Sequence, residues 1–334
     1  MRNYKLICIF VVVFLMIPGL WINNAHAKEK PIILKLGNVI PPTSAKNLSC
    51  LKFSELVQKQ TKNGVQVQVF PSSQLGNERD LAQGVQMGTL DLFWGDAAAY
   101  SSYVKEFNVF NAPLVFKDTD HWEAVVWGPI FDGLADQLLK KAGVRILGRY
   151  WMGERYILTR TKPVYTPEDL KGLKIRVPDI RMYTAGFKAL GANPTPINYA
   201  EVYMALQQGV VDGMENPVGL IRGMKFYEVT KNLTLMAWSN AVNILAINES
   251  VFSKLKPEYQ KIFKQAGRES SKYLEMLMVK EKEENLKFFE SVGLNLIQPK
   301  DMEEWRAKVK DFPKEYGDLW GRPELYYEIQ NYKY

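Results

Sequence analysis

Cysteine and histidine are scarce in this chain. Its 334 residues include two of each, and Cys8 and His26 lie in the first 27 positions, so only Cys50 and His121 follow. One cysteine cannot close an intramolecular disulfide, and an exported protein of this size does not need one. There is no His-Glu-x-x-His, no Gly-x-Ser-x-Gly and no Cys-x-x-Cys. The common signatures of metal and nucleophile chemistry are therefore missing. No metal and no cofactor are expected, and only carboxylate-dependent catalysis stays open. Cys50 follows Ser49 in an expected helix and reads as a small hydrophobe. His121 sits in a helix-start pattern, Asp118-Thr119-Asp120-His121, and is expected at the surface.

Long apolar runs are also lacking after the N-terminus. Arg2 and Lys5 precede twelve apolar residues at 6–17, and Ala25-His26-Ala27 follows. A charged start, a run too short to cross a bilayer comfortably and an Ala-x-Ala site predict an export signal cleaved after Ala27. Cys8 lies inside the apolar run, so no lipid anchor is expected. The net charge of +7 falls by two, to +5, when Arg2 and Lys5 are removed. The densest charged run, Lys280-Glu281-Lys282-Glu283-Glu284, mixes both signs as a solvated helix face does. No stretch interleaves aromatic residues with a purely basic run, which speaks against nucleic acid. Repeats, low-complexity tracts and flexible linkers are absent as well.

What is present is an α/β pattern. Positions 32–39 read as a strand, 45–62 as a helix, and Val65-Gln66-Val67-Gln68-Val69 alternates as a half-buried strand does. A helix over 77–87 stops at Gly88, and 90–93 is a short strand with Trp94-Gly95-Asp96 just beyond it. Ligands of open α/β sheets bind outside the carboxyl ends of strands, which makes Trp94 and Asp96 candidates for a pocket edge. Strands at 144–151 and 242–248 and a helix over 257–292 follow from the same periodicities. At this length two domains are expected, each with its own core.

The most informative stretch is 171–217. Lys174-Ile175-Arg176-Val177-Pro178 is a short strand stopped by proline that delivers Arg176 at its end. Glu215-Asn216-Pro217 puts a carboxylate and an amide where a helix gives way to extended chain. A guanidinium fork and an amide at element ends suit recognition of a carboxylate. Tyr199 and Tyr203 share one helix face; Tyr199 is a candidate pocket residue, whereas Tyr203 reads as packing.

These residues resemble the solute-binding proteins of tripartite ATP-independent periplasmic (TRAP) transporters, of the dicarboxylate and sialic-acid type. The matching segments are 169–178, Pro194-Thr195-Pro196, Glu201-Val202-Tyr203, Val211-Asp212-Gly213 and Glu215-Asn216-Pro217. Upstream, Gln74-Leu75-Gly76 and Gly88-Thr89-Leu90-Asp91 also fit. The resemblance implies a two-lobed periplasmic binding protein, each lobe a mixed sheet flanked by helices, with a long helix spanning both. The expected lobes are 28–152 with 242–280 and 153–241 with 281–334. It also implies a protein that does no chemistry, binds a small organic acid between its lobes and serves TRAP membrane subunits; a monomer is expected. Arg176 would be the main carboxylate clamp, with Arg155, just after a strand and Gly153, and Asn216 adding contacts. Glu215 belongs to the same motif and is not read with Asp212 as an acid–base pair. Trp238 falls where many relatives carry histidine, and would supply an apolar wall. A sensor for a membrane receptor, or a secreted carboxylate-dependent hydrolase or lyase, would use the same residues differently.

Overall fold

Strands β1 (Ile32–Gly37) and β2 (Val65–Phe70) pair in parallel, Ile32 opposite Val65 and Gly37 opposite Phe70. Between them runs helix α1 (Ala45–Gln60), started by Ser44, whose hydroxyl accepts the Asn47 N–H. The computed structural model describes residues 30–334, and the expected signal peptide, 1–27, lies outside the described residues. Helix α2 (Glu78–Met87) begins with a reciprocal cap: Asn77 accepts the Asp80 N–H and Asp80 accepts the Asn77 N–H, each at 3.0 Å. Strand β3 (Leu92–Asp96), helices α3 (Thr119–Val126) and α4 (Pro129–Ala142) and strand β4 (Val144–Trp151) complete the first pass. Trp94 and Asp96 thus lie within a strand, not beyond it, because Gly95 lets the chain continue past a crowded point. A Cβ there would collide with the Phe93 ring and come within 2.7 Å of Glu78 Oε1.

The chain then builds a second sheet from β5 (Arg155–Thr159), β6 (Lys174–Val177), β7 (Asn193–Pro196), β8 (Gly213–Asn216) and β9 (Asn232–Ser239). Helices α5 (Arg181–Ala189), α6 (Val202–Gln208) and α7 (Val218–Gly223) connect these strands. Glu215 and Asn216 therefore occupy a strand, not a helix end: β8 runs antiparallel to β5 and parallel to β6. Strand β10 (Val242–Asn248) returns to the first sheet and lies antiparallel between β3 and β4. The sheet orders are β2-β1-β3-β10-β4 and, with β11 (Asn295–Ile297) on its edge, β11-β9-β5-β8-β6-β7.

After the short α8 (Glu249–Ser253), helix α9 (Pro257–Ser291) runs along both lobes. On β4 it packs through Gly267, and Ser270 bonds the Tyr150 hydroxyl at 2.7 Å. Farther along, Phe289 joins the second lobe's core with Leu233 and Leu294, and Lys282 pairs with Glu154 between β4 and β5. The chain thus joins the two sheets at 152–154, at 240–241 and through α9. Among the described residues, no helix is long and apolar enough to cross a membrane.

Helices α10 (Met302–Lys308), α11 (Phe312–Tyr316) and α12 (Glu324–Gln330) form the tail. The tail reaches back to the first lobe: Tyr326 Oη donates to the Pro113 carbonyl at 3.0 Å. His121 is buried for the same reason, against the surface expectation. Its Nδ1 accepts the Lys117 N–H at 3.1 Å, leaving Nε2 to donate to the Ile329 carbonyl at 2.8 Å, and burial lowers its pKa. Cys50 is buried in α1, and burial pushes its thiol pKa up, which makes it a poor nucleophile.

Candidate ligand-binding cleft

The carboxyl ends of the parallel strands in the two sheets face one cleft. From the first sheet come Val39 and Ile40 after β1, and Trp94 and Asp96 at the end of β3. The second contributes Arg176 of β6, Asn216 at the end of β8 and Tyr199 after β7. The cleft holds an outer cavity of about 530 Å³ and an inner one of about 50 Å³. Val39, Glu78, Arg176, Pro178, Ile180 and Tyr199 line both, so Arg176 stands where the two spaces meet.

Arg176 is buried, and its own lobe fixes its orientation. Nε and Nη2 both donate to the Ile197 carbonyl, at 2.9 and 2.8 Å, and the guanidinium lies 5.5 Å over the Tyr199 ring. Its remaining nitrogen, Nη1, has no partner among the described residues. Burial pulls its pKa down to about 10, with Glu215 acting in the opposite direction. This is a desolvated cation without a contacting carboxylate, an arrangement that favours an anionic guest.

Arg155 differs. Its Nη2 donates to Glu215 Oε1 at 2.7 Å, its Nε pairs with Oε2 of the same carboxylate, and Asn216 Oδ1 lies 3.4 Å from Nη2. The register produces this pair: Ile157 lies opposite Glu215 and Tyr156 opposite Asn216, bringing the start of β5 beside the end of β8. Burial opposes the Arg155 charge, but Glu215 and Tyr183 outweigh it and hold the pKa above its usual range. Glu215 also accepts the Trp238 indole N–H at 3.1 Å. It lies behind Arg155 as a fully engaged counter-ion. Trp238 lines neither cavity; it is buried against Tyr183 and Phe187 at ring separations of 5.4 and 4.8 Å. Asn216 Nδ2 donates to the Tyr199 hydroxyl at 3.1 Å, so these two are joined at the inner cavity's edge.

On the opposite wall, Asp96 is nearly saturated. It accepts Ala98 N–H at 2.8 Å, the Asn111 amide at 2.8 and 3.0 Å, and the Tyr183 hydroxyl at 3.1 Å. Sequence reasoning missed Glu78, which takes the freer role. Its Oε1 accepts the Asp96 N–H at 2.8 Å, and its carboxylate lines both cavities. Burial, and then the neighbouring Asp96, push its pKa up to about 7. In the sequence Glu78 is one acid among several at a helix start, and nothing local marks it as facing a cleft. Asn243 and Tyr183 were missed likewise, since long-range pairing brings them there. Of the residues singled out from sequence, the structure gathers Arg176, Arg155, Asn216, Tyr199, Trp94 and Asp96 around the inner cavity and leaves Glu215 and Trp238 behind it.

Residues 36–318 match the family model described as bacterial extracellular solute-binding protein, family 7. The sialic acid-binding periplasmic protein SiaP of Vibrio cholerae is 31% identical over 304 residues, covering 91% of this chain and 94% of that protein. The structure of a TRAP periplasmic solute-binding protein from Polaromonas sp. JS666 bound to D-erythronate superposes with a TM-score of 0.86. It is 29% identical and the match covers 91% of this chain and 99% of that one. One from Sulfurospirillum deleyianum with bound succinate gives 0.83 at 29% identity, covering 90% and 99%. The fold is thus shared with binding proteins, not enzymes, and this chain belongs to the family-7 solute-binding proteins of TRAP transporters.

Proposed function

We propose that this protein, exported to the periplasm, captures a small organic acid between its two sheets and delivers it to the membrane subunits of a TRAP-type secondary transporter. The observation that carries this reading is Arg176, a buried guanidinium that lines both cavities and is held by the Ile197 carbonyl, with no contacting carboxylate among the described residues. A carboxylate is the guest that a preorganised guanidinium fork binds at least entropic cost. Asn216 and Tyr199 stand beside it to accept or donate further bonds, and Arg155 adds positive potential tempered by Glu215. Carboxylates in the relatives' structures, D-erythronate and succinate, agree with this choice of guest. Closure of the lobes about 152–154 and 240–241 would present a changed surface to the membrane subunits.

A thermal-shift screen of the purified protein against organic acids tests this, because a ligand that binds only the folded form raises the melting temperature. At least one monocarboxylate or dicarboxylate stabilises the wild type. In Arg176→Ala its affinity falls by about 2–5 kcal/mol, roughly thirtyfold or more, as for the truncation of a buried charged partner. A folded Arg176→Ala protein with unchanged affinity would refute the clamp.

A further inference from the structure

We propose that Lys46 acts as a brake on closure of the cleft, because closing the lobes strips its ammonium of water without giving it a carboxylate. This rests on the reading that the lobes close over a ligand, and not on which acid is bound.

Helices α1 and α7 come from different lobes, and both start at the cleft-facing ends of strands: α1 follows β1, and α7 follows β8 directly after Pro217. Their contact flanks the inner cavity, which Ile40 and Leu220 line. Lys46, in the first turn of α1, is 1% exposed. Its Nζ lies 3.8 Å from a Cβ built on Gly219 of α7 and 3.4 Å from Met278 Sδ of α9. Met278 in turn covers the connection at 152–154, with its Cε 2.6 Å from a Cβ built on Gly153. Lys46 is thus buried between one lobe's helix and the other's, beside a segment that joins them. The Met278 thioether, a weak acceptor, is its only side-chain partner among the described residues.

The charges around it leave the ammonium uncompensated. Glu281 of α9 attracts it without forming an ion pair, and Arg155 of β5 repels it. Arg222 of α7 and Glu284 of α9 act on the same Glu281, and Arg222 Nη1 donates to Asn285 Oδ1 at 3.1 Å. A buried ammonium so placed gives up its proton readily. Burial lowers the Lys46 pKa to about 7 from 10.5, with Glu281 opposing the fall and Arg155 adding to it. When the lobes part about 152–154 and 240–241, α7 leaves α1 and water reaches Nζ, which restores the ordinary value. Between about pH 7 and 10.5 the open form therefore holds a proton that the closed form has released. Closure strengthens as pH rises through that window, and below it the cost is full and constant. Glu78 in the cleft acts with the opposite sign and below about pH 7, since closing over a carboxylate favours its protonated form. A cost of closure set by one side chain limits affinity and hastens reopening for release.

Distances between spin labels on Met87→Cys and Lys188→Cys, exposed positions on α2 and α5 of the two lobes, test this. They are measured from about pH 7.5 to 9.5, without ligand and with succinate or D-erythronate. With Lys46 in place, the ratio of closed to open forms is expected to rise with pH, up to the roughly tenfold per pH unit that one proton allows. In Lys46→Met the ratio is expected to be about tenfold or more higher at the lowest pH and constant over the range, with a matching gain in calorimetric affinity for the acid that binds. A pH response that survives Lys46→Met overturns the proposal, as does a Lys46→Met protein no more closed than the parent at the lowest pH. Arg176→Ala separates this from the clamp: it is expected to remove acid binding and keep the pH response of the unliganded lobes. If neither acid, pH nor the substitution shortens the distance, the lobes do not close and the closure reading fails together with this inference.

Discussion

Arg155 and Arg176 carry the same charge in one cleft and have different neighbours. The bidentate pair with Glu215 makes Arg155 a structural ion pair, and breaking one side of it leaves a buried charge uncompensated. Arg155→Met is therefore expected to lower unfolding free energy by about 3–5 kcal/mol in urea titrations. Replacing Glu215 by methionine at the same time should recover most of that loss. Glu78 makes the stability pH-dependent. Its carboxyl has a pKa of about 7 in the fold against 4.5 when unperturbed, because of burial and Asp96, with Arg155 and Arg176 opposing. Between those values the folded state holds more protons than the unfolded one. Its contribution is thus complete below about pH 4.5 and is lost as pH rises through about 7. Glu78→Gln should flatten the fall in stability over that window, measured by urea unfolding at a series of pH values; an unchanged slope would assign it to another group.

Helix α9 and strand β4 meet closely because Gly267 lacks a side chain. A Cβ there would run into the Leu147 carbonyl, and a Cβ on Gly148 would come within 2.8 Å of the Gly267 carbonyl. Gly267→Ala must push the long helix off the sheet, and a cost of roughly 1–3 kcal/mol follows. Gly133, within α4, has nothing within 4 Å of an added Cβ. Gly133→Ala is expected to stabilise by about 0.4–1 kcal/mol, since only the unfolded chain loses freedom. Opposite signs in parallel thermal melts would support this account. Neither glycine is distinguishable in the sequence, where both interrupt helical patterns. Lys46 shows a related effect: α1, α7 and α9 bury it, with Nζ 3.4 Å from Met278 Sδ. Burial pulls its pKa to about 7, although Glu281 pulls the other way.

Apolar packing and polar bonds join the two sheets. One continuous apolar cluster includes Leu92 and Ile244 of the first sheet, Ile157 and Ile175 of the second, and Trp305, Trp320 and Ile329 of the tail. Polar bonds cross as well: Tyr183 Oη donates to Asp96, and the Leu114 N–H to the Trp238 carbonyl at 2.9 Å. Urea unfolding followed by circular dichroism and by tryptophan fluorescence should give coincident single transitions. Two separated transitions would show that the lobes unfold independently.

Local periodicity and punctuation were enough to determine many of the elements, though not β8, which reads as a helix end, nor the helices of the tail. The Val65–Phe70 alternation, the Asn77 cap, the Pro178 stop and the long amphipathic run of α9 depend on neighbours within a few residues. The Arg176 and Asn216 motifs were legible because they are contiguous. What only the tertiary structure decided is which charges meet. Strand register set Glu215 against Arg155, turned Trp238 away from the cavities and placed Asn243 beside Trp94, and the return of α12 buried His121. Such pairings join residues tens to hundreds of positions apart. Their energy lies in desolvation and geometry, which no local pattern encodes.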